Sequence, residues 1–358
     1  MARRLTLVVL LACLGIGGAL AQLTADVGDE WRALAREADL LYQAGHYERA
    51  LVPAQKAVAV AERALGAVHP DVATSLNLLA LIHTARRDYP KAEPLFRRSL
   101  AILEKYLGPE HSSVSLALGN LAEFYQTQGR YAEAEALFRR ALQLAERVLG
   151  HNHPNVAASI NNLANLYYAQ GRLADAEPLY RRALAIREKA LGPYNPAVAA
   201  SLNNLAALHR ARNEFAAAEP LYRRALSIAE IRLGPQHPAV AVALNNLGEL
   251  HGAQHDYPAA ERLHRRSLGI LETALGPEHP EVDPSLNYLA ELYAAQSQFV
   301  AAERYFRRSL ALREKSFGVG HVAVAEELER LAKLYVLMGR NDDARRLIER
   351  ARKIRSAR

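Results

Sequence analysis

The chain repeats itself at a fixed interval of forty-two residues. A Leu-Gly pair recurs at Leu65-Gly66, Leu107-Gly108, Leu149-Gly150, Leu191-Gly192, Leu233-Gly234 and Leu275-Gly276. Phe317-Gly318 continues the series, with no residue gained or lost between copies. A constant period of this size belongs to stacked architectures, in which each unit buries its apolar face against the next copy. It overrides the expectation of about two compact domains that length alone would give to 358 residues.

One unit shows what is repeated. Ile160, Leu163, Ala164 and Tyr167 fall at the i, i+3, i+4, i+7 spacing of one helix face. Pro154 suits the first turn of that helix, where its missing N–H has no partner to lose. Gly171 suits its end. A second helix follows, with Leu173, Ala176, Tyr180, Ala183 and Leu184 on one face, and Gly192-Pro193 stops it. The alanines Ala164, Ala176 and Ala183 mark where two antiparallel helices approach to about 8 Å. The second-helix string recurs from Ala92 to Leu100, Ala134 to Leu142, Ala176 to Leu184, Ala218 to Leu226, Ala260 to Leu268 and Ala302 to Leu310, with weaker copies starting at Ala50 and Ala344. The expectation is an all-α fold: an α-solenoid superhelix of about eight antiparallel helix pairs, over units 29–66, 70–108, 112–150, 154–192, 196–234, 238–276, 280–318 and 322–358.

The first residues form a separate module. Arg3 and Arg4 precede an apolar stretch from Leu5 to Gly18, and Ala19-Leu20-Ala21 is a small-x-small cleavage pattern ahead of Gln22. That is the layout of a secretory signal peptide over residues 1–21, followed by a short segment over 22–28. The chain is therefore expected to be exported, to the periplasm or beyond the cell, with no membrane span left after cleavage. The alternatives are an anchor through residues 5–21 or lipidation at Cys13, the only cysteine. Cleavage after Ala21 leaves no thiol for disulfides, metal or nucleophilic chemistry.

The pattern of Leu163-Ala164, Tyr167, Gly171, Ala176, Tyr180 and Ala183 resembles the tetratricopeptide repeat (TPR), whose usual period is about 34 residues. The longer unit here, with Ser201-Leu202-Asn203-Asn204-Leu205-Ala206 and Ala218-Glu219-Pro220-Leu221-Tyr222-Arg223-Arg224-Ala225-Leu226, is similar to the repeats of kinesin light chains and their bacterial relatives. A kinesin light chain carries a coiled coil ahead of its repeats. Here a signal peptide stands in that place, so motor function is not carried over. The resemblance implies a superhelix whose first helices line a concave groove for extended peptides, and it implies nothing about the identity of the peptide.

Mapped onto this chain, the groove positions of that family form two asparagine columns. One contains Asn77, Asn161, Asn203, Asn245 and Asn287, with Gly119 in the series; the next contains Asn120, Asn162, Asn204 and Asn246. Asparagine is a poor interior helix former. Its recurrence therefore suggests a use, and a carboxamide can both donate to and accept from a peptide main chain. The alternative is structural, with asparagines bonding between adjacent units. Positions that vary between units would carry selectivity: Asn165, Tyr168, Arg210, Glu249, Glu291 and Lys333. Glu249, Asp283, Glu291, Glu326 and Glu329 suggest an acidic C-terminal half that favours a basic or polar segment.

Other signals point to structure. Arginine pairs such as Arg181-Arg182 follow a glutamate at i−4, which supports a helix. The formal charge of +7 is interleaved with acidic residues, which speaks against a nucleic-acid partner. His69, His111, His153, His237, His279 and His321 recur at one position, which suggests loop packing or an N-cap rather than a shared metal site. No phosphate loop, dinucleotide fingerprint or nucleophile motif is present. The expected function is a non-enzymatic scaffold for a protein or extended peptide, with no cofactor, metal or catalytic residue. A structural assembly platform or a glycan-binding protein of the cell envelope is the alternative.

Overall fold

The computed structural model describes residues 25–356. The signal-peptide expectation lies outside them. Among the described residues there are sixteen α-helices and no strand. In order they are α1 (Ala25–Gln43), α2 (Tyr47–Leu65), α3 (Pro70–Ala85), α4 (Tyr89–Leu107), α5 (Ser112–Thr127), α6 (Tyr131–Leu149), α7 (Pro154–Ala169) and α8 (Leu173–Leu191). Then follow α9 (Pro196–Ala211), α10 (Phe215–Leu233), α11 (Pro238–Ala253), α12 (Tyr257–Leu275), α13 (Asp283–Ala295), α14 (Phe299–Phe317), α15 (Val322–Leu337) and α16 (Asn341–Ser356). A single 3-10 turn, Pro280–Val282, leads into α13. The chain divides into two compact units, one ending at Leu144 and one beginning at Ala145.

The repeated histidines start the first helices. His153 Nδ1 accepts the backbone N–H of Asn155 at 3.1 Å, and His69, His111, His237, His279 and His321 do the same two residues ahead. This satisfies one of the donors that every helix start leaves open. Where the histidine is replaced by Asn195, its Oδ1 accepts from Ala197 N at 2.9 Å and the cap survives.

The turn inside each pair needs one residue in the left-handed region. Gly171 takes it at φ 72°, and in other pairs Arg87, Asn213, His255 and Ser297 take it near φ 60°. The flanking side chains change with it. Beside three of the glycine turns an arginine lies over a tyrosine ring: Arg130 on Tyr125 and Arg172 on Tyr167 at 4.0 Å, and Arg340 on Tyr335 at 4.1 Å. Beside three of the non-glycine turns a histidine meets an acid instead: His83 with Asp88 at 3.3 Å, His209 with Glu214 at 2.6 Å and His251 with Asp256 at 3.3 Å. A left-handed non-glycine residue costs about 1–2 kcal/mol, so a link across the turn is useful there.

Packing inside a pair follows the alanine pattern. Ala164, Ala176 and Ala183 are wholly buried, and Tyr180, 1% exposed, fills the space beside them. Its hydroxyl donates to Asn165 Oδ1 at 2.7 Å. Within each unit the first helices of neighbouring pairs also touch one another, as α1 and α3 do in the first, and α9 with α11 and α11 with α13 in the second. Among the described residues no two second helices approach one another as closely. The first-helix face is therefore the inner one.

The second helices are joined by side chains instead. Arg98 reaches back thirty-six residues to Glu62 at 2.5 Å, and Arg140 to Glu104 likewise. In the second unit Arg182 reaches Glu146, Arg266 reaches Glu230 and Arg350 reaches Glu314, at 2.5–2.6 Å, with Arg224–Glu188 and Arg308–Glu272 completing the set. The other arginine meets a glutamate of its own helix, as Arg181 does with Glu177, and Arg265 and Arg307 also donate to the Tyr293 and Tyr335 hydroxyls of the next first helix. The arginine doublets therefore build an ion-pair ladder between successive pairs.

Candidate functional site

The inner face of the second unit carries most of the residues singled out in the sequence. The first asparagine column turns into the seams between helices. Asn161, Asn245 and Asn287 are all at most 8% exposed. Asn161 Oδ1 accepts from Asn204 Nδ2 at 2.7 Å, one unit along. In the first unit Asn120 Nδ2 donates to Asn77 Oδ1 at 2.8 Å in the same arrangement. Asn245 donates to Ser285 Oγ at 2.9 Å and its Oδ1 accepts from His264 Nδ1 at 3.0 Å. Asn287 donates to Ser309 Oγ at 3.0 Å and to the Asp283 carbonyl at 3.2 Å. The Oδ1 atoms of Asn203 and Asn287 are buried without a partner.

The second column is partly exposed. Asn162, Asn204 and Asn246 are half-buried on consecutive first helices. The side chain of Asn246 has no hydrogen-bond partner among the described residues. Of the variable residues, Asn165 holds the core Tyr180 hydroxyl. Tyr168 is half-buried on α7, and Lys333 is exposed on α15.

The acidic residues of this half each stand beside an arginine. Glu249 lies 3.3 Å from Arg210, Glu291 3.4 Å from Arg330, Asp283 2.7 Å from Arg313, Glu329 3.0 Å from Arg355 and Glu326 4.0 Å from Arg313. Burial pushes the Glu291 carboxyl up, against the pull of Arg330. The charge on the inner face is thus matched locally, and Asp283 belongs to the interior.

Several telling residues are single-copy departures that the repeat pattern alone does not rank. Tyr288 and Arg330 continue the column of Asn162, Asn204 and Asn246. His264 stands where other pairs have Phe96, Phe138, Tyr180, Tyr222 or Phe306. It is 3% exposed, and burial depresses its imidazole to about 4. Tyr288 stacks on it, and burial beside Glu249 holds the Tyr288 phenol well above its ordinary range. Glu327 stands where other first helices have Ser75, Ala117, Ser159, Ser201, Ala243 or Ser285, and it is fully buried 3.4 Å from Arg313. Burial lifts its carboxyl to about 7. In the first unit Glu123, one turn beyond Asn120, is raised to about 7 by burial.

The arrangement suits binding better than bond chemistry. Its titratable groups are buried in structural pairs rather than aimed at a common point. On the outer side of the first unit, an open cleft of about 380 Å³ lies among Leu100, Ala101, Leu121, Ala136 and Leu137. Its polar members Arg97 and Tyr125 are both engaged with Glu93. No group of three or more potential metal ligands occurs among the described residues.

The profile of the tetratricopeptide repeat matches residues 30–111, 113–189, 157–231, 198–273, 240–315 and 281–357. No curated protein matches the sequence. Among solved structures, BtubC (BKLC) from P. vanneervenii is 27% identical, with a TM-score of 0.53, over 65% of this chain and 92% of its own. The apo form of the quorum sensor NprR from B. thuringiensis is 11% identical, with a TM-score of 0.61, over 90% of this chain and 87% of its own. A Rap protein complexed with competence and sporulation factor is 15% identical, with a TM-score of 0.54, over 92% of this chain and 99% of its own. The latter two likenesses are of the fold alone. Repeat period, helix pairing and family match agree: the chain belongs to the tetratricopeptide repeat family.

Proposed function

We propose that the chain is a non-enzymatic scaffold that holds an extended peptide, or an extended part of a partner protein, along its first-helix face. The observation that carries this reading is the row of Asn162, Asn204 and Asn246, half-buried at one position of α7, α9 and α11. A carboxamide has N–H donors and an acceptor oxygen, so it can pair with a ligand main chain whatever the ligand's sequence. Main-chain recognition of this kind is one of the recurring modes of peptide binding. The family supports a protein or peptide partner, since such repeats are a scaffold for binding surfaces.

Affinity capture with the full chain, followed by mass spectrometry, supplies the partner. The triple variant Asn162→Ala, Asn204→Ala, Asn246→Ala should then weaken binding at least tenfold, about 1.4 kcal/mol, with the helical circular dichroism unchanged. Retained affinity would remove the first-helix face from consideration. Export is part of the proposal and rests on the pattern of residues 2–21. Among the described residues no helix is long and apolar enough to cross a membrane. The mass of the N-terminal peptide from fractionated cells tests export directly: a chain beginning at Gln22 outside the cytoplasm supports it, and an intact leader in the cytoplasm overturns it.

A further inference from the structure

Arginine occupies one position of the second helices three times, as Arg187 on α8, Arg313 on α14 and Arg355 on α16. Arg187 and Arg313 are anchored alike. Arg187 Nη1 donates to the Ala197 carbonyl at 3.2 Å, and Arg313 Nη1 donates to the equivalent Ala323 carbonyl at 2.9 Å. Arg187 Nη1 also donates to Ser201 Oγ at 2.7 Å.

The opposite edge of the guanidinium is where the three differ. On Arg313, Nε and Nη2 hold the Asp283 carboxylate side-on, at 3.1 Å and 2.7 Å. On Arg355 the same two atoms hold Glu329, both at 3.0 Å. Arg313 also has Glu327 at 3.4 Å and Glu326 at 4.0 Å. Around Arg187 the positions of Asp283, Glu327 and Glu326 are taken by Ala157, Ser201 and Ala200. Its Nε and Nη2 have no hydrogen-bond partner among the described residues, and it forms no ion pair there.

We propose that this empty edge of Arg187 receives a carboxylate of the bound partner, which supplies the acid that the chain itself supplies to Arg313 and Arg355. The proposal rests on the first-helix reading above for where the partner lies, and it names a group that the partner carries.

Three observations support it. The edge is accessible: neither Nε nor Nη2 is sealed from solvent, and Ala200 beside it is exposed on the first-helix face. Glu326, at the Ala200 position of α15, is 44% exposed and still comes within 4.0 Å of Arg313, so that position borders both the face and the guanidinium. The fold itself has no need of a cation here. Ala229 and Leu271 fill the same position in the next two pairs and are buried. Burial lowers the affinity of Arg187 for its proton, and no acid offsets it.

The shape and charge of the edge select the ligand group. Two parallel N–H groups match the two oxygens of a carboxylate. One guanidinium balances one negative charge, whereas a phosphate group carries about 1.5–2. A neutral carboxamide has one oxygen and leaves one of the two donors unmet.

The test follows the arginine Nε–H resonances of the isotope-labelled full chain by NMR. The Arg187 resonance is the one lost in Arg187→Leu, a change that Leu271 shows the position accommodates. Four probes are titrated: acetyl-aspartate amide, acetyl-alanine with a free carboxyl, acetyl-asparagine amide and inorganic phosphate. The expected result is a saturable shift with the two acids, none with the asparagine probe and a weaker one with phosphate. The tighter of the two acids tells whether a side chain or a chain end is held. Ala157→Asp rebuilds the Asp283 arrangement and should abolish the shift, because the chain then fills the edge itself. No shift with either acid, an equal shift with the asparagine probe, tighter binding of phosphate, or a shift that survives Ala157→Asp would each overturn the proposal.

A captured partner separates this proposal from the reading on which it rests. Arg187→Leu should weaken that partner about tenfold, with the loss shrinking as salt is raised. Unchanged affinity in Arg187→Leu, with the triple asparagine variant weakened, would overturn the Arg187 site and keep the first-helix face. Weakened affinity in Arg187→Leu alone would keep the Arg187 site and overturn the asparagine row.

Discussion

Tyr288 lies flat on His264, with ring centroids 5.0 Å apart and planes 13° from parallel. The contact exists because this pair departs from the repeat twice. A histidine replaces the usual phenylalanine or tyrosine, and Gly248 replaces the alanine found at Ala80, Ala122, Ala164, Ala206, Ala290 and Ala332. A Cβ on Gly248 would sit 2.6 Å from the His264 ring, which Asn245 and Tyr288 hold in place. Gly248→Ala should therefore destabilise the protein. The helix gains about 1 kcal/mol from alanine, but overpacking a fixed ring costs about 1–3 kcal/mol. A urea denaturation midpoint that rises in the variant would show that the ring moves aside freely.

His264 also predicts a pH dependence. Its folded value of about 4 lies below the ordinary 6.5, so the unfolded chain binds the proton more tightly. The neutral ring's contribution is complete above 6.5 and is lost as pH falls toward 4, to the extent of about 3 kcal/mol. His264→Gln should be less sensitive to acid over that window. Equal loss in both proteins between pH 6.5 and pH 4 would place the sensitivity elsewhere.

Glu327 carries the opposite sign. Its folded value of about 7 lies above the ordinary 4.5, so the folded chain holds the proton more tightly. Its contribution is complete below 4.5 and is lost as pH rises through 7. Glu327→Gln should remove part of the destabilisation between pH 5 and pH 8. Denaturation curves at those two values check this, and a variant that loses as much as the parent on going to pH 8 contradicts it.

The outer ladder is expected to be weak rung by rung. Arg266 and Glu230 are 43% and 30% exposed, and half-exposed pairs couple by about 0.2–1 kcal/mol. A double-mutant cycle with Arg266→Ala and Glu230→Ala should give a coupling in that range, and raised salt should reduce it. A coupling near zero at low salt would mean that the rung is decorative.

The core and a site residue can be separated at Tyr180. Tyr180→Ala should cost about 3–5 kcal/mol, as aromatic truncations in cores do. Tyr180→Phe removes only the hydroxyl bonded to Asn165 and should cost about 1 kcal/mol. Thermal denaturation of both variants checks the ratio; equal losses would mean that the hydrogen bond outweighs the ring.

The helix pairs were legible because their signals are local. Pro154 and Gly192 punctuate helices at known offsets, and the His153 position reads as a cap from its place before proline. What escaped the sequence depends on rotation and on distance along the chain. Asn161 and Asn162 differ by about 100° around the helix axis, and that angle decides between a seam and an open face. The i, i+4 pattern pairs Arg181 with Glu177, but the partner of Arg182 is Glu146, thirty-six residues back. The pairing of Asp283 with Arg313 needs the relative placement of α13 and α14, which no local pattern encodes. Tyr288, His264 and Glu327 are visible as breaks in their columns, but a break alone does not say whether it serves packing or binding.

The arginine ladder bears on how such a chain can change length. Each pair presents an arginine backward and a glutamate forward, so its two edges are complementary to further copies of itself. A duplication or loss of one whole forty-two-residue block within either unit restores every rung without a compensating substitution. An insertion inside a second helix would instead turn its arginine away from the glutamate it meets. The ladder thus favours genetic events that keep the reading in whole units, and gene duplication can lengthen the inner face one helix at a time while the outer face closes behind it.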